Sequence, residues 1–156
     1  MIRLRSMRRG DYAGVERLLH QLQEIHIAGR PELYGPTENC LHEDFFRSML
    51  SNGDMIAIVA QSERSIIGVC IASMLNYSGA VRVKTACIDQ LVVDERWRRQ
   101  GIGRALLKEA EKRAASLGAT RLDTIVWSFN GGAKAAYEKC GMTPQRIIYE
   151  KAIHAS

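Results

Sequence analysis

The stretch Ile88-Asp89-Gln90-Leu91-Val92-Val93-Asp94-Glu95-Arg96-Trp97-Arg98-Arg99-Gln100-Gly101-Ile102-Gly103-Arg104-Ala105-Leu106-Leu107 decides how this chain folds. Its first residues are largely apolar and read as a buried strand. From about Gly103 to Leu117, Leu106, Leu107, Ala110, Ala114 and Leu117 share one helical face, and Gly118 ends the pattern. Strand and helix are joined by Arg98, Arg99, Gly101, Gly103 and Arg104. A helix start presents unpaired N–H groups and roughly half a positive charge, and glycines let a phosphate approach the backbone. The junction therefore reads as a pyrophosphate-binding turn. It is not a Walker loop, because no G-K-[ST] follows, and two glycines do not make the G-x-G-x-x-G dinucleotide fingerprint.

Outward from this junction the chain organises as one domain over residues 1–156, with no repeat, low-complexity tract or dividing linker. The alternating start Met1-Ile2-Arg3-Leu4-Arg5 resembles an edge strand more than a removed transit peptide, since Asp11 and Glu16 follow at once. Asp11 is the expected N-cap of a helix carrying Val15, Leu18, Leu19, Leu22 and Ile25 and stopping near Gly29. Residues 30–40 read as loop, and Phe45, Phe46, Met49 and Leu50 as a short second helix. Met55–Ala60, Ser65–Leu75 and Val81–Val93 are expected as a three-strand meander, with Asn76-Tyr77-Ser78-Gly79 as one connection. After the third helix come a strand over Leu122–Trp127, a helix over Gly132–Cys140 and a last strand over Arg146–Ile153. The order β-α-α-β-β-β-α-β-α-β defines an α+β fold with a mixed sheet and one βαβ crossover.

Composition bounds the partners. An apolar fraction of 46% and a charged fraction of 25% are ordinary for soluble proteins, and no apolar run reaches the roughly 20 residues of a membrane span. Cys40, Cys70, Cys87 and Cys140 lie far apart, with no C-x-x-C pair and no histidine at ligand spacing, so reduced cysteines, no metal site and a cytoplasmic location are expected. The net charge of +5 favours an anionic partner without naming one. Trp97 among arginines fits a nucleic-acid patch in principle, but no helix-turn-helix or RNA-motif signature accompanies it, so nucleic acid is not expected.

The pattern Arg98-x-x-Gly101-x-Gly103 after Asp89-Gln90-Leu91-Val92-Val93 resembles the acetyl-CoA loop of the GNAT superfamily of N-acetyltransferases. A second segment, Asn130-x-x-Ala133-x-x-x-Tyr137-Glu138-Lys139-x-Gly141-Met142, is similar to the family's N-x-x-A-x-x-x-Y-E-K-x-G-F, with Met142 where Phe is usual. Ile2-Arg3, Asp11, Ile67-Gly68 and the element order extend the likeness. It implies a splayed central sheet and a cofactor site in which the backbone of Arg98, Arg99, Gln100, Gly101, Ile102, Gly103 and Arg104 holds the CoA pyrophosphate. The pantetheine arm would lie beside Leu91, Val92 and Val93, with Asn130, Ala133 and Tyr137 along it. An amide-bearing arm can pair with an open strand edge as a peptide does.

The implied reaction is direct attack of a primary amine on the acetyl thioester in a ternary complex. An amine of pKa near 10.4 is mostly protonated at pH 7, so reaching its neutral form costs about 4.6 kcal/mol. Asp89 occupies the position where some family members carry a base. It serves equally well, on sequence alone, as a structural acid in a strand. Tyr137, of ordinary pKa about 10, is the implied donor to the departing thiolate. The charges Glu32, Glu38, Glu43 and Asp44 against Arg30 suit either a cationic acceptor or a solvated surface. The acceptor is open, a homodimer is a family expectation, and a CoA-binding protein without turnover is the alternative reading.

Overall fold

The computed structural model describes residues 1–75, 80 and 82–154, and the expected connection at Asn76-Tyr77-Ser78-Gly79 and the strand start at Val81 lie outside them. Five strands form one sheet in the order β1-β2-β3-β4-β5: β1 Ile2–Ser6, β2 Met55–Ser62, β3 Ser65–Leu75, β4 Thr85–Val93 and β5 Arg121–Thr124. The first four are antiparallel, and β5 is parallel to β4. The helices are α1 Tyr12–Gly29, α2 Glu43–Leu50, α3 Ile102–Ser116 and α4 Gly131–Lys139.

Two apolar layers sandwich the sheet. Val15, Leu18 and Leu19 of α1 and Phe46 and Met49 of α2 pack with Val59, Val69, Ile71 and Val92 on one face. Ile102, Leu106, Leu107, Ala110 and Ala114 of α3 pack with Ile58, Ala60, Ile67, Cys70, Ala86 and Ile88 on the other. Both faces being covered explains why β3 reads as a continuous apolar run rather than an alternating one. Gly68 sets how closely α3 can approach. A Cβ there would lie 2.9 Å from Leu106 Cδ1 and 3.2 Å from both Ala60 Cβ and Ile102 Cγ2, so only a glycine lets the first turns of α3 rest on the strand.

Three expectations need correction. Asp11 does not cap α1 with its side chain: its carboxylate accepts from Arg8 N at 2.7 Å and from both terminal nitrogens of Arg5, fixing the turn before the helix instead. The strand expected over Leu122–Trp127 starts at Arg121 and leaves the sheet after Thr124, where it parts from β4. The last expected strand, Arg146–Ile153, lies outside the sheet, and no backbone hydrogen bond joins it to any described residue. Its apolar side chains Ile147, Ile148, Tyr149 and Ile153 stay exposed rather than packing on the sheet.

Candidate active site

β4 and β5 pair only as far as Ile88 opposite Thr124. β4 then runs on to Val93 with no described neighbour on its outer edge, which is the geometry of a splayed pair of parallel strands. Leu91 and Val93 turn toward the α3 layer and Val92 toward the α1 layer, so the free edge is backbone flanked by apolar side chains. On its inner side, Ile71 faces Gln90 while Ala72 faces Ile88, making Asp89 the extra residue of a β-bulge. A bulge breaks the alternation of a strand and re-aims one side chain. Asp89 is exposed to solvent by area, yet the protein packed around it pushes its carboxyl above the ordinary value, the nearby Ser73 hydroxyl pulling weakly the other way.

Beyond Val93 the chain turns through Glu95–Trp97 to the mouth of α3. The turn is pinned by Asp94, which is fully buried. Its carboxylate accepts from Arg17 Nη1 at 2.6 Å, from Arg96 N at 3.1 Å, and from Arg96 Nε and Nη2 at 3.2 and 3.1 Å. Arg17, from α1, also donates to Ile66 O at 2.7 Å, while Asp94 N donates to Ile67 O at 2.9 Å. The hydrogen bonds from Arg96 and Arg17 hold the Asp94 carboxyl far below the usual carboxylate range despite burial. The strand end, α1 and the turn are thus tied at one point.

Arg98 Nε donates to Val93 O at 3.1 Å, and Trp97 packs against the core. Arg99 and Gly101 both take left-handed φ, 62° and 81°. Gly101 is the N-cap of α3 and supplies no side-chain cap, so the N–H groups of the first turn are left for a ligand. A Cβ on Gly101 would meet no protein atom within 4 Å, and one on Gly103 only Val93 Cγ2 at 3.6 Å. The glycines therefore face open space rather than crowded protein. Arg98, Arg99, Gln100 and Arg104 are exposed around this mouth, whereas the Ile102 side chain is buried and only its backbone is available. An uncapped helix start, open space above it and exposed guanidinium groups fit the pyrophosphate of a CoA thioester, and the free β4 edge fits its amide arm.

On the other side of the splay, Tyr137 of α4 packs against the α3 layer, and burial raises its phenol pKa, with the Thr124 hydroxyl beside it opposing. Thr124 Oγ1 also lies 3.3 Å from Ile88 O, so Tyr137 sits where β4 and β5 part. The Asn130 side chain accepts from Ala133 N at 3.1 Å and caps α4. This role of Asn130 and Ala133 is structural and belongs to the motif as much as any ligand contact does.

Sequence reasoning missed two groups. Asp94 and Arg17 are 77 positions apart, and only the spacing of Asp94 to Arg96 N, an N-cap pattern, hinted at the first. The second is an aromatic set beyond β5: His26 stacks on Tyr34, Tyr34 meets Trp127 edge-on, Trp127 stacks on Phe129, and Trp127 Nε1 donates to Tyr34 Oη at 3.0 Å. The Arg30 guanidinium lies 4.6 Å above the Trp127 ring. Because β4 and β5 are parallel, this set stands at the end toward which they splay. Two of the four acidic charges expected over residues 30–44 are paired nearby: Glu32 with Arg30, and Glu43 with Arg47 at 2.8 Å.

A splayed mixed sheet with an uncapped, glycine-led helix mouth at its open edge is the architecture this chain shares with solved acetyltransferase structures. The chain belongs to the acetyltransferase (GNAT) family, whose model matches residues 19–142. No curated protein matches it. Among solved structures it is similar to the tetramutant of BH1408 protein from Bacillus halodurans, with 25% identity, TM-score 0.87, and 98% of this chain and 99% of that one covered. At lower identity it shares the fold of glucosamine-6-phosphate N-acetyltransferase from Arabidopsis thaliana (21%, TM-score 0.75, 99% of each chain). It also shares the fold of an aminoglycoside antibiotic 6'-N-acetyltransferase from Acinetobacter baumannii (16%, TM-score 0.76, 99% of this chain and 100% of that one). No described helix is long and apolar enough to cross a membrane, and no described group of three His, Cys, Asp or Glu could hold a metal ion.

Proposed function

We propose that this protein transfers the acetyl group of acetyl-CoA to a primary amine by direct attack in a ternary complex. The observation that carries the reading is the juxtaposition of the uncapped α3 mouth with the unpaired β4 edge from Asp89 to Val93. The N–H groups of Ile102, Gly103 and Arg104, with the exposed arginines, hold the pyrophosphate. The β4 edge aligns the arm, and a backbone N–H near Val93 polarises the thioester carbonyl.

Asp89, re-aimed by its bulge and raised in pKa, accepts the proton that the attacking amine must lose, directly or through a water. Tyr137 stays protonated across the working pH range because burial raises it further. It therefore donates a hydrogen bond to the sulfur as the C–S bond breaks, and the thiolate, of pKa near 8.5, leaves with little need for complete proton transfer. The aromatic set around Trp127 stands at the same end of the sheet and forms a wall against which an acceptor is oriented.

The test is thiol release from acetyl-CoA across a panel of polyamines, aminoglycosides, amino sugars, amino acids and peptide N-termini, with acetylated product identified by mass. Acceptor-dependent release with stoichiometric product supports the reading. Tight acetyl-CoA binding with no turnover on any amine sinks the transfer step and leaves a binding protein.

A further inference from the structure

A second basic recess lies on the α1 side of the sheet, in the layer opposite α3. It is a cleft of about 450 Å³, within the roughly 300–1,000 Å³ typical of small-molecule sites. Three elements each send one arginine to its wall: Arg5 from β1, Arg17 from α1 and Arg64 from the turn between β2 and β3. Asp11 is the only acid among the described lining residues. Gly10, Gly14 and Ser65 contribute to the rim, and a Cβ at Gly10 would meet no protein atom within 4 Å.

The charges in this cleft do not balance. Both Asp11 oxygens are committed to Arg5 and to Arg8 N, at 2.7 to 2.9 Å, so this carboxylate offsets Arg5 alone. Arg17 shares Asp94 with Arg96, two guanidinium groups on one carboxylate. It spends Nη1 on Asp94 and Nη2 on Ile66 O, which leaves Nε without a described acceptor. Arg64 is exposed and has no side-chain partner among the described residues. Arg5 and Arg17 brace the fold, whereas Arg64 braces nothing in it.

We infer that the cleft binds a phosphate-bearing small molecule through Arg17 and Arg64, and that Arg17 couples this ligand to the cofactor turn. Guanidinium forks match phosphoryl oxygens in geometry and charge. A multiply charged anion is favoured over a monocarboxylate, because it must hold Arg17 against Asp94, itself a carboxylate at 2.6 Å. The same competition sets the sign of the coupling. Drawing Arg17 toward the cleft loosens its hold on Asp94, and Asp94 pins the turn that leads to the α3 mouth. Ligand in the cleft therefore lowers affinity at the mouth, and by linkage the cofactor lowers affinity in the cleft by the same factor. The coupling rests on the proposed acetyl-CoA site, and the binding does not.

Amide shifts of labelled protein titrated with pyrophosphate read the cleft and the mouth separately. Saturable shifts are expected at Gly10, Gly14, Arg64 and Ser65, resolved from any at Ile102, Gly103 and Arg104. Arg64→Ala should weaken the cleft response about tenfold, the worth of one charge-assisted hydrogen bond. Lys112→Ala, which removes the same charge from an exposed position on α3, should leave it unchanged. Acetate at equal ionic strength should not saturate the cleft. For the coupling, pyrophosphate should raise the apparent acetyl-CoA Kd about fivefold more in wild type than in Arg64→Ala, since direct competition at the mouth is common to both. No saturable shift in the cleft, an equal loss in Lys112→Ala, or saturation by acetate overturns the site. Equal effects on acetyl-CoA in the two proteins overturn the coupling. Pyrophosphate binding in the cleft of a protein that binds no acetyl-CoA keeps the site and overturns both the coupling and the proposed function.

Discussion

Replacing Asp94 by Asn removes the charge at the one point where the β4 end, α1 and the cofactor turn are tied together. The geometry of the side chain is kept and one acceptor oxygen remains, so the loss is electrostatic rather than steric. Charge-assisted hydrogen bonds contribute about 1.5–3 kcal/mol each when desolvated. Arg17 is partly covered, and its 2.6 Å contact takes most of that value. Arg96 is largely in water, and its contacts are discounted to roughly 0–1 kcal/mol. The sum is about 2–4 kcal/mol, and for a chain of this size each kcal/mol moves the midpoint by roughly 2–4 °C. Thermal unfolding followed by circular dichroism should show a drop of roughly 4–16 °C at pH 7. A carboxyl held low in the folded state stabilises fully above its unfolded pKa, near 3.9, and loses that contribution as pH falls toward its folded value. The gap between wild type and variant should therefore be constant from pH 7 to about 5 and narrow below about 4. The variant should also bind acetyl-CoA more weakly, because the turn that presents Arg98 to Gly101 is no longer fixed. A variant within 0.5 kcal/mol of wild type at pH 7, or a gap that widens on acidification, would mean that the Asp94 charge does not hold the turn.

Tyr137→Phe keeps the ring packed and removes only the hydroxyl, so kcat should fall by roughly 10²–10⁴-fold with acceptor KM little changed. Full turnover, with chemistry limiting, reduces Tyr137 to packing. Asp89→Asn should lower kcat/KM and abolish an acid limb lying above the ordinary carboxylate range, leaving any limb set by the acceptor amine; an unchanged pH profile returns Asp89 to a structural role. Gly68→Ala forces α3 off the sheet by way of Leu106, Ile102 and Ala60, and should cost about 1–3 kcal/mol in urea unfolding. Unaltered stability would mean the helix yields freely there.

What the sequence revealed depended on whether the signal was local. The α3 mouth was legible because strand, glycines and helix are contiguous, and the α4 motif because its cap and tyrosine lie within eight residues. The bulge at Asp89 was not legible, since it arises from a register shift against β3 that no residue of β4 announces. Asp94 sits in an arginine-rich run that reads as a solvated surface, and its burial depends on Arg17 reaching across from α1. The aromatic set draws His26, Tyr34, Trp127 and Phe129 from distant positions, so periodicity could not assemble it. The last segment has the propensity of a strand but forms none, because joining the sheet depends on the edge it meets and not on its own residues.

The claim on which the account rests is that the α3 mouth and the β4 edge form one acetyl-CoA site. Amide chemical shifts of labelled protein titrated with acetyl-CoA test it most directly. Saturable shifts are expected at Ile102, Gly103 and Arg104 together with Leu91, Val92 and Val93, and they should be lost in Gly101→Glu, which puts a negative side chain at a left-handed position of the helix mouth and whose fold is checked by its remaining amide shifts. Saturable binding that leaves those amides unmoved, or that persists unchanged in Gly101→Glu, would contradict it.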